Sequence, residues 1–261
     1  MTPTVAPTDV VSGLTAAAHA APANSAPAPA PAPAQADYHR YYEADDLDLR
    51  KVAYLKRNIL PLLNSLAPNS RILEVGPGRG ALLSLLRSSG FKNIQAFEIC
   101  TAFAESLASQ GYTVASGPCA VEHLKSLPSQ SLDAIVLIDV LEHFPLEDGL
   151  AFLKESRRVI APQGRIILQT PNASGLFGMN TFVADPTHAT PWNEIRLTAA
   201  LRGSGFTTVN CLPMSLPLSP GNLLRESFRS VLFTAIRFLT RLCGATPVKV
   251  LTHNIVCQAQ E

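Results

Sequence analysis

The stretch RILEVGPGRGALLSLL, Arg71 to Leu86, decides the fold of this chain. RILEV has the short apolar character of a buried strand, and ALLSLLRSS spaces its leucines as a helix does until Gly90. Between them Gly76, Gly78 and Gly80 spell G-x-G-x-G, while Gly76, Gly78 and Ala81 also satisfy G-x-G-x-x-A. Glycines after a strand let the backbone turn sharply and approach a ligand, and the helix that follows presents N–H groups to an anion. The loop reads as a ligand cradle and does not by itself name the ligand.

Outward from this unit the same alternation continues. NIQAFEI, YTVAS, LDAIVLI, RIILQT and FTTVNCL read as strands; TAFAESLASQ, VEHLKSL, DGLAFLKESRRVI and NEIRLTAALRGSG read as helices. Such βαβ units imply a parallel sheet with right-handed crossovers. LDAIVLI lacks polar alternation and is expected at the centre, covered on both faces. PVKVLTHNIVCQAQE is expected to return antiparallel at the sheet edge. Upstream, Leu47, Val52, Leu55, Ile59 and Leu62 suit a helix, with Pro61 as its joint. Residues 1–36 end in an Ala-Pro repeat and read as an extended tail, leaving one domain over 37–261.

Composition narrows the function classes. A chain of 261 residues, 47% hydrophobic, supports a substantial core, and a net charge of +1 gives no sign of a nucleic-acid partner. The five cysteines are scattered without C-x-x-C spacing, which argues against a disulfide framework or zinc site and suits a reducing cytosol. The N-terminus lacks a basic n-region, and no apolar run approaches the ~20 residues that span a bilayer. The expectation is a cytoplasmic protein, with a peripheral membrane contact as its one qualification.

Three features of the loop's surroundings favour S-adenosylmethionine (SAM) over a dinucleotide. Glu74 places a carboxylate two residues before Gly76, where it can meet the cationic methionine end of SAM. SAM has no pyrophosphate, so the third small residue of the fingerprint has less to do. Glu98 ends the second strand, where a carboxylate can accept hydrogen bonds from ribose hydroxyls; that suits NAD equally and speaks for adenosine alone.

ILEVGPGRG, then FEI, then LDAIVLIDVLEHF, then APQGRIILQTPN, in this order from about Tyr38 to Phe206, resemble the class I SAM-dependent methyltransferase family. DPTHATPWNEIRLTAALRGSGF resembles its branch of quinone-type and bacterial glycan or sugar methyltransferases. The resemblance implies a Rossmann-like, mostly parallel seven-stranded sheet of order 3-2-1-4-5-7-6, its last strand reversed and helices on both faces. It implies that Glu74, Gly76, Gly78 and Gly80 form the methionine-side loop, with Asp139 nearby. Glu98 would then hold ribose and Ile99 lie against adenine. Where the family often has G-D, this chain has Gly117-Pro118-Cys119-Ala120, so adenine recognition falls to backbone groups of Cys119 or Ala120.

The acceptor is less legible. Glu142 and His143 follow the central strand at the carboxyl edge, where ligands bind in open α/β sheets, and His188 lies in the loop before the next helix. His143 reads equally as a general base or a locally bonded positioning residue. His188 and Trp192 read as acceptor contacts. A metal on Glu142, His143 and His188 lacks an identifiable fourth ligand, so none is expected. TPNASGLFGMN reads as a mobile cover. The expected reaction is methyl transfer to a small-molecule or glycan-type acceptor at oxygen. A quinone- or lipid-directed enzyme at the membrane surface and a silent SAM-binding scaffold are the alternatives.

An inserted amphipathic helical segment at about 214–245 remains. Arg225, Glu226, Arg229, Ser230, Arg237 and Arg241 gather on one side of residues 222–244, opposite a broad apolar face. That face suits the sheet, a second subunit as a homodimer, or a lipid surface; core or dimer packing is the leading expectation.

Overall fold

The computed structural model describes residues 49–261. The Ala-Pro tail, Leu47 and the start of the domain at 37 lie outside the described residues. The first described element is α1 (Leu49–Asn58), whose Leu55 is buried, and Pro61 falls in a 3-10 turn (Leu60–Leu62) that follows it. Then come β1 (Arg71–Val75), α2 (Ala81–Ser88), β2 (Asn93–Glu98), α3 (Thr101–Ser109), β3 (Thr113–Ser116), α4 (Ala120–Ser126) and β4 (Leu132–Ile138). The second half holds α5 (Leu146–Val159), β5 (Ile160–Pro171), α6 (Gly178–Ala184), α7 (Glu194–Gly203), β6 (Thr208–Pro213), α8 (Pro220–Leu242) and β7 (Asn254–Gln260).

These strands form one seven-stranded sheet in the order β3-β2-β1-β4-β5-β7-β6. The first five run parallel, and β7 is antiparallel to both of its neighbours. It lies inside the sheet rather than at its edge, which corrects one expectation: β6 takes the edge. The pleat sends alternate side chains to opposite faces. Leu73, Val75, Ile135, Leu137, Ile166 and Leu168 pack on one face against α4, α5 and α7. Ile72, Ala134, Val136 and Ile167 pack on the other, against α1 and α2. Each of the leucines, isoleucines and valines among them, fully buried, contributes ~1.5–3 kcal/mol.

Two expectations about single residues are also corrected. Cys211 and Cys257 are disulfide-bonded, because the β6–β7 register sets them directly opposite, their Cα atoms 4.2 Å apart. Trp192 is fully buried in the core and its indole N–H donates to Leu141 O, so it cannot meet an acceptor.

The topology also fixes where a ligand can bind. The chain leaves β1 for β2 on one side, while β4 pairs on the other, so a crevice opens beyond the carboxyl ends of β1 and β4. Pro171 pairs with Asn254 and Pro213 with Ile255, so the carboxyl ends of β5 and β6 and the start of β7 lie on that same edge. The inserted segment therefore projects from the ligand edge.

Candidate active site

Strand β1 delivers Glu74 to the crevice with only 3% of its surface exposed. Gly80 leads into α2 with no side-chain cap, and Glu74 accepts from the Leu83 N–H in its place. Its other oxygen, Oε2, has no hydrogen-bond partner among the described residues. Burial pushes the carboxyl up to about 8; Lys51 opposes the shift and Glu98 adds to it. A buried carboxylate with one oxygen unsatisfied is matched by a cation.

The three glycines divide their work. All have left-handed φ values, +70° at Gly76, +53° at Gly78 and +81° at Gly80. A Cβ on Gly76 would lie 2.5 Å from Val140 Cγ2, and one on Gly80 2.5 Å from Leu107 Cδ2. Those two positions serve packing. A Cβ on Gly78 would meet nothing within 4 Å, so Gly78 alone faces open space.

Glu98 ends β2 beneath this loop. Its Oε2 accepts the Gly78 N–H at 3.0 Å and its Oε1 the Cys100 N–H at 2.9 Å. Burial raises its carboxyl, and those two N–H groups oppose the shift. The structure thus gives Glu98 a role in shaping the loop that the sequence did not show; the Ile99 N–H bonds to it as well, and the carboxylate keeps acceptor capacity for a ribose hydroxyl. Ile99 is 39% exposed beside it. Cys119 is half-buried and Ala120 buried at the start of α4, where they offer backbone groups.

Asp139 follows β4 with a left-handed φ of +56°. Its surface reaches water, yet the protein crowded around it raises its carboxyl, with Gln169 and Lys51 opposing. Gln169 Nε2 donates to both Asp139 oxygens at 3.0 Å, and the Tyr54 hydroxyl donates to Gln169 Oε1. Tyr54 and Gln169 escaped the sequence reading, since α1 and the end of β5 carry no motif. His253 escaped it as well. It is exposed before β7, and burial of its ring lowers its pKa, with Asp139 opposing and Arg229 adding.

The acceptor-side residues do converge. His143 and His188 stack edge to face with ring centroids 4.6 Å apart. Thr187 Oγ1 donates to Asp185 Oδ1 at 2.6 Å and therefore accepts from His143 Nδ1 at 2.9 Å, which leaves the basic lone pair on Nε2. Burial first, and then His188, lowers the pKa of His143, so its ring is neutral at pH 7. His188 Nδ1 donates to Phe182 O at 2.8 Å, and its Nε2 lies 3.9 Å from Glu142 Oε1. Glu142 itself is fully buried, its carboxyl raised by burial and by Asp139. At that depth its carboxylate lies beside His188 rather than on the surface of the site. Glu142, His143 and His188 each bring one potential ligand atom within 4.8 Å of the others.

Residues 172–178 are not the mobile cover expected. Asn172 N–H donates to His253 O at 2.7 Å, Ala173 N–H to Trp192 O at 2.7 Å and Leu176 N–H to Leu251 O at 2.9 Å. The segment is pinned to the approach to β7 and leads into α6.

Comparison with known proteins agrees with this architecture. The chain is 33% identical over 86 residues to a probable SAM-dependent methyltransferase of Mycolicibacterium smegmatis, and 32% identical over 83 residues to one of Mycobacterium tuberculosis. It spans about a third of the length of these curated relatives. A SAM-dependent methyltransferase from Archaeoglobus fulgidus superposes with a TM-score of 0.65 at 22% identity, over 88% of this chain and all of that one. Phosphoethanolamine N-methyltransferase 2 of Haemonchus contortus, solved with SAM, superposes at 0.54 and 14% identity over 78% of this chain and 51% of that one. These likenesses show the fold. The family model described as a methyltransferase domain matches residues 42–210, and the chain belongs to that family.

Proposed function

We propose that this chain is a SAM-dependent methyltransferase acting at oxygen on a small-molecule or glycan-type acceptor. The observation that carries the reading is the unsatisfied, buried Oε2 of Glu74, on the strand that leads into the glycine loop, where Gly78 faces open space. Glu74 would hold the α-ammonium of SAM, Glu98 its ribose, Ile99 its adenine face, and Asp139 would border the methionine end. Bound there, SAM supplies an electrophilic methyl on a sulfonium. The protein's share is alignment and, for a hydroxyl acceptor, proton removal.

His143 is the base in this scheme, oriented by Thr187 and Asp185, with His188 alongside and Glu142 positioning His188. A screen across hydroxyl, amine and glycan acceptors, read as S-adenosylhomocysteine (SAH) release, identifies the acceptor class. On that acceptor His143→Ala is expected to lower kcat by about 100-fold while SAH affinity stays unchanged. Unchanged turnover would remove His143 from the mechanism. No SAH release with any acceptor, despite tight SAM binding, would favour the silent SAM-binding scaffold.

Gly78→Ala separates the ligand face of the loop from its packing. With no neighbour to meet, the new methyl costs the fold only the ~1–2 kcal/mol of a left-handed non-glycine residue. It stands where the ligand must approach, so SAH affinity is expected to fall by on the order of tenfold or more. Calorimetry that finds wild-type affinity would place the ligand elsewhere.

A further inference from the structure

Helix α8 is mounted through Glu226, Arg229 and Arg237, which turn inward. Glu226 Oε1 accepts the Leu216 N–H at 2.6 Å and pairs with Arg229. Arg229 Nη2 donates to Met214 O at 2.8 Å, and Arg237 Nη2 to Lys249 O at 2.6 Å. These are the backbone carbonyls on either side of the insertion, so the polar stripe is the one that fastens the helix to the domain.

The apolar face is left outside. No residue of α8 is buried, and Leu224, Phe228, Val231, Phe238 and Leu242 are 59–71% exposed. Packing on the sheet, half of the leading expectation, is excluded. At ~1.5–3 kcal/mol for each side chain removed from water, such a face strongly favours a partner.

We propose that this face of α8 docks on an anionic lipid bilayer. Its charge argues for that occupant over a second copy. Residues 220–249 hold Arg225, Arg229, Arg237, Arg241 and Lys249 against Glu226, a net charge of +4; Glu194 pairs with Lys249 from the domain side, and the four arginines with Glu226 still leave +3 on the helix itself. Arg225 and Arg241 are exposed at the two ends of the apolar stripe, while Glu226 is already bonded inward. A symmetric antiparallel contact between two copies would bring arginines together with no carboxylate on the face to meet them. A bilayer offers lipid phosphates to both arginines while the stripe enters the acyl region, and each cation there contributes ~1 kcal/mol. None of the described helices is long and apolar enough to cross a membrane, so α8 lies in the interface plane.

The placement gives docking a consequence. Leu176 N–H, at the entry to α6, is bonded to Leu251 O, just beyond the Lys249 carbonyl that Arg237 holds. Phe177 and Val183 there are 77% and 68% exposed. Both helices thus stand on the ligand edge beside His253, and docking turns the mouth of the site to the lipid. The docking surface does not depend on methyl transfer; only its corollary, an acceptor carried in the membrane, rests on that reading.

Flotation of the full chain with phosphatidylcholine vesicles, with and without phosphatidylglycerol, tests the proposal. Binding is expected to require phosphatidylglycerol and to weaken with salt. The triple variant Leu224→Ser, Phe228→Ser, Val231→Ser should bind at least about tenfold more weakly, and Arg225→Glu with Arg241→Glu should lose the preference for the anionic lipid. Thermal melts report the folding of each variant, and SAH calorimetry on the wild type reports the cofactor reading, each independently of flotation. Wild-type protein that ignores both vesicle types, or variants that float as well as wild type, would overturn the proposal. A dimer in light scattering that the triple variant dissociates, without vesicle binding, would assign the face to a second copy.

Discussion

Replacing Glu74 by glutamine is expected to stabilise the ligand-free protein by about 3 kcal/mol at pH 7. The Glu74 carboxyl titrates near 8 in the folded chain against 4.5 for an ordinary glutamate. Between those values the native state holds a proton that the unfolded chain has released, so this group's contribution falls as pH rises. One pKa unit corresponds to about 1.4 kcal/mol, and the interval from 4.5 to 7 therefore gives roughly 3 kcal/mol. Glutamine keeps an oxygen for the Leu83 N–H and carries no charge. Denaturant melts should show the variant gaining on wild type from about pH 4.5 to 8 and matching it below that window. Parallel wild-type and variant profiles would mean that Glu74 is not protonated in the native state. A fold that tolerates this cost without ligand is keeping the carboxylate for a cation.

Gly178→Ala is expected to destabilise the fold by about 3 kcal/mol or more, at or above the upper end of ordinary overpacking. A Cβ there would sit 1.8 Å from Asn172 O and 2.7 Å from its carbonyl carbon, with His253 O at 3.0 Å. All three are backbone atoms, and no rotamer can relieve them. Asn172 is itself fixed, its Nδ2 donating to Val250 O and Thr252 O and its N–H to His253 O. Relief would have to move the approach to β7, and with it the mount of α8. A melting temperature within a degree or two of wild type would show that the 172–178 segment is more yielding than its hydrogen bonds indicate.

Much of this architecture was legible in the sequence, for identifiable reasons. The strand–glycine–helix unit at 71–86 and the apolar run at 132–138 obey local rules, and the strand order followed from a resemblance spread over several motifs. What escaped depends on contacts between distant segments. Cys211 and Cys257 are 46 residues apart and meet only through the β6–β7 register. Periodicity identified the two faces of α8 but not which would turn inward, because arginines that bond loop carbonyls are as good an anchor as leucines. In the site, Glu74 and Glu98 lay at the carboxyl ends of strands already legible as strands. Tyr54, Gln169 and His253 reached it from α1, the end of β5 and the approach to β7, where no spacing marks them. Glu142 was found, but its complete burial was not foreseeable from D-V-L-E-H alone.

The claim that this crevice holds SAM is tested most directly by titrating SAM and NAD separately into the protein at pH 7, in two buffers of different ionisation heat. Saturable one-to-one binding of SAM is expected, with a proton released to buffer as the ligand's ammonium favours ionised Glu74. Glu74→Gln should abolish that release, and NAD should give no saturable heat. Saturable NAD binding without SAM binding would contradict the claim.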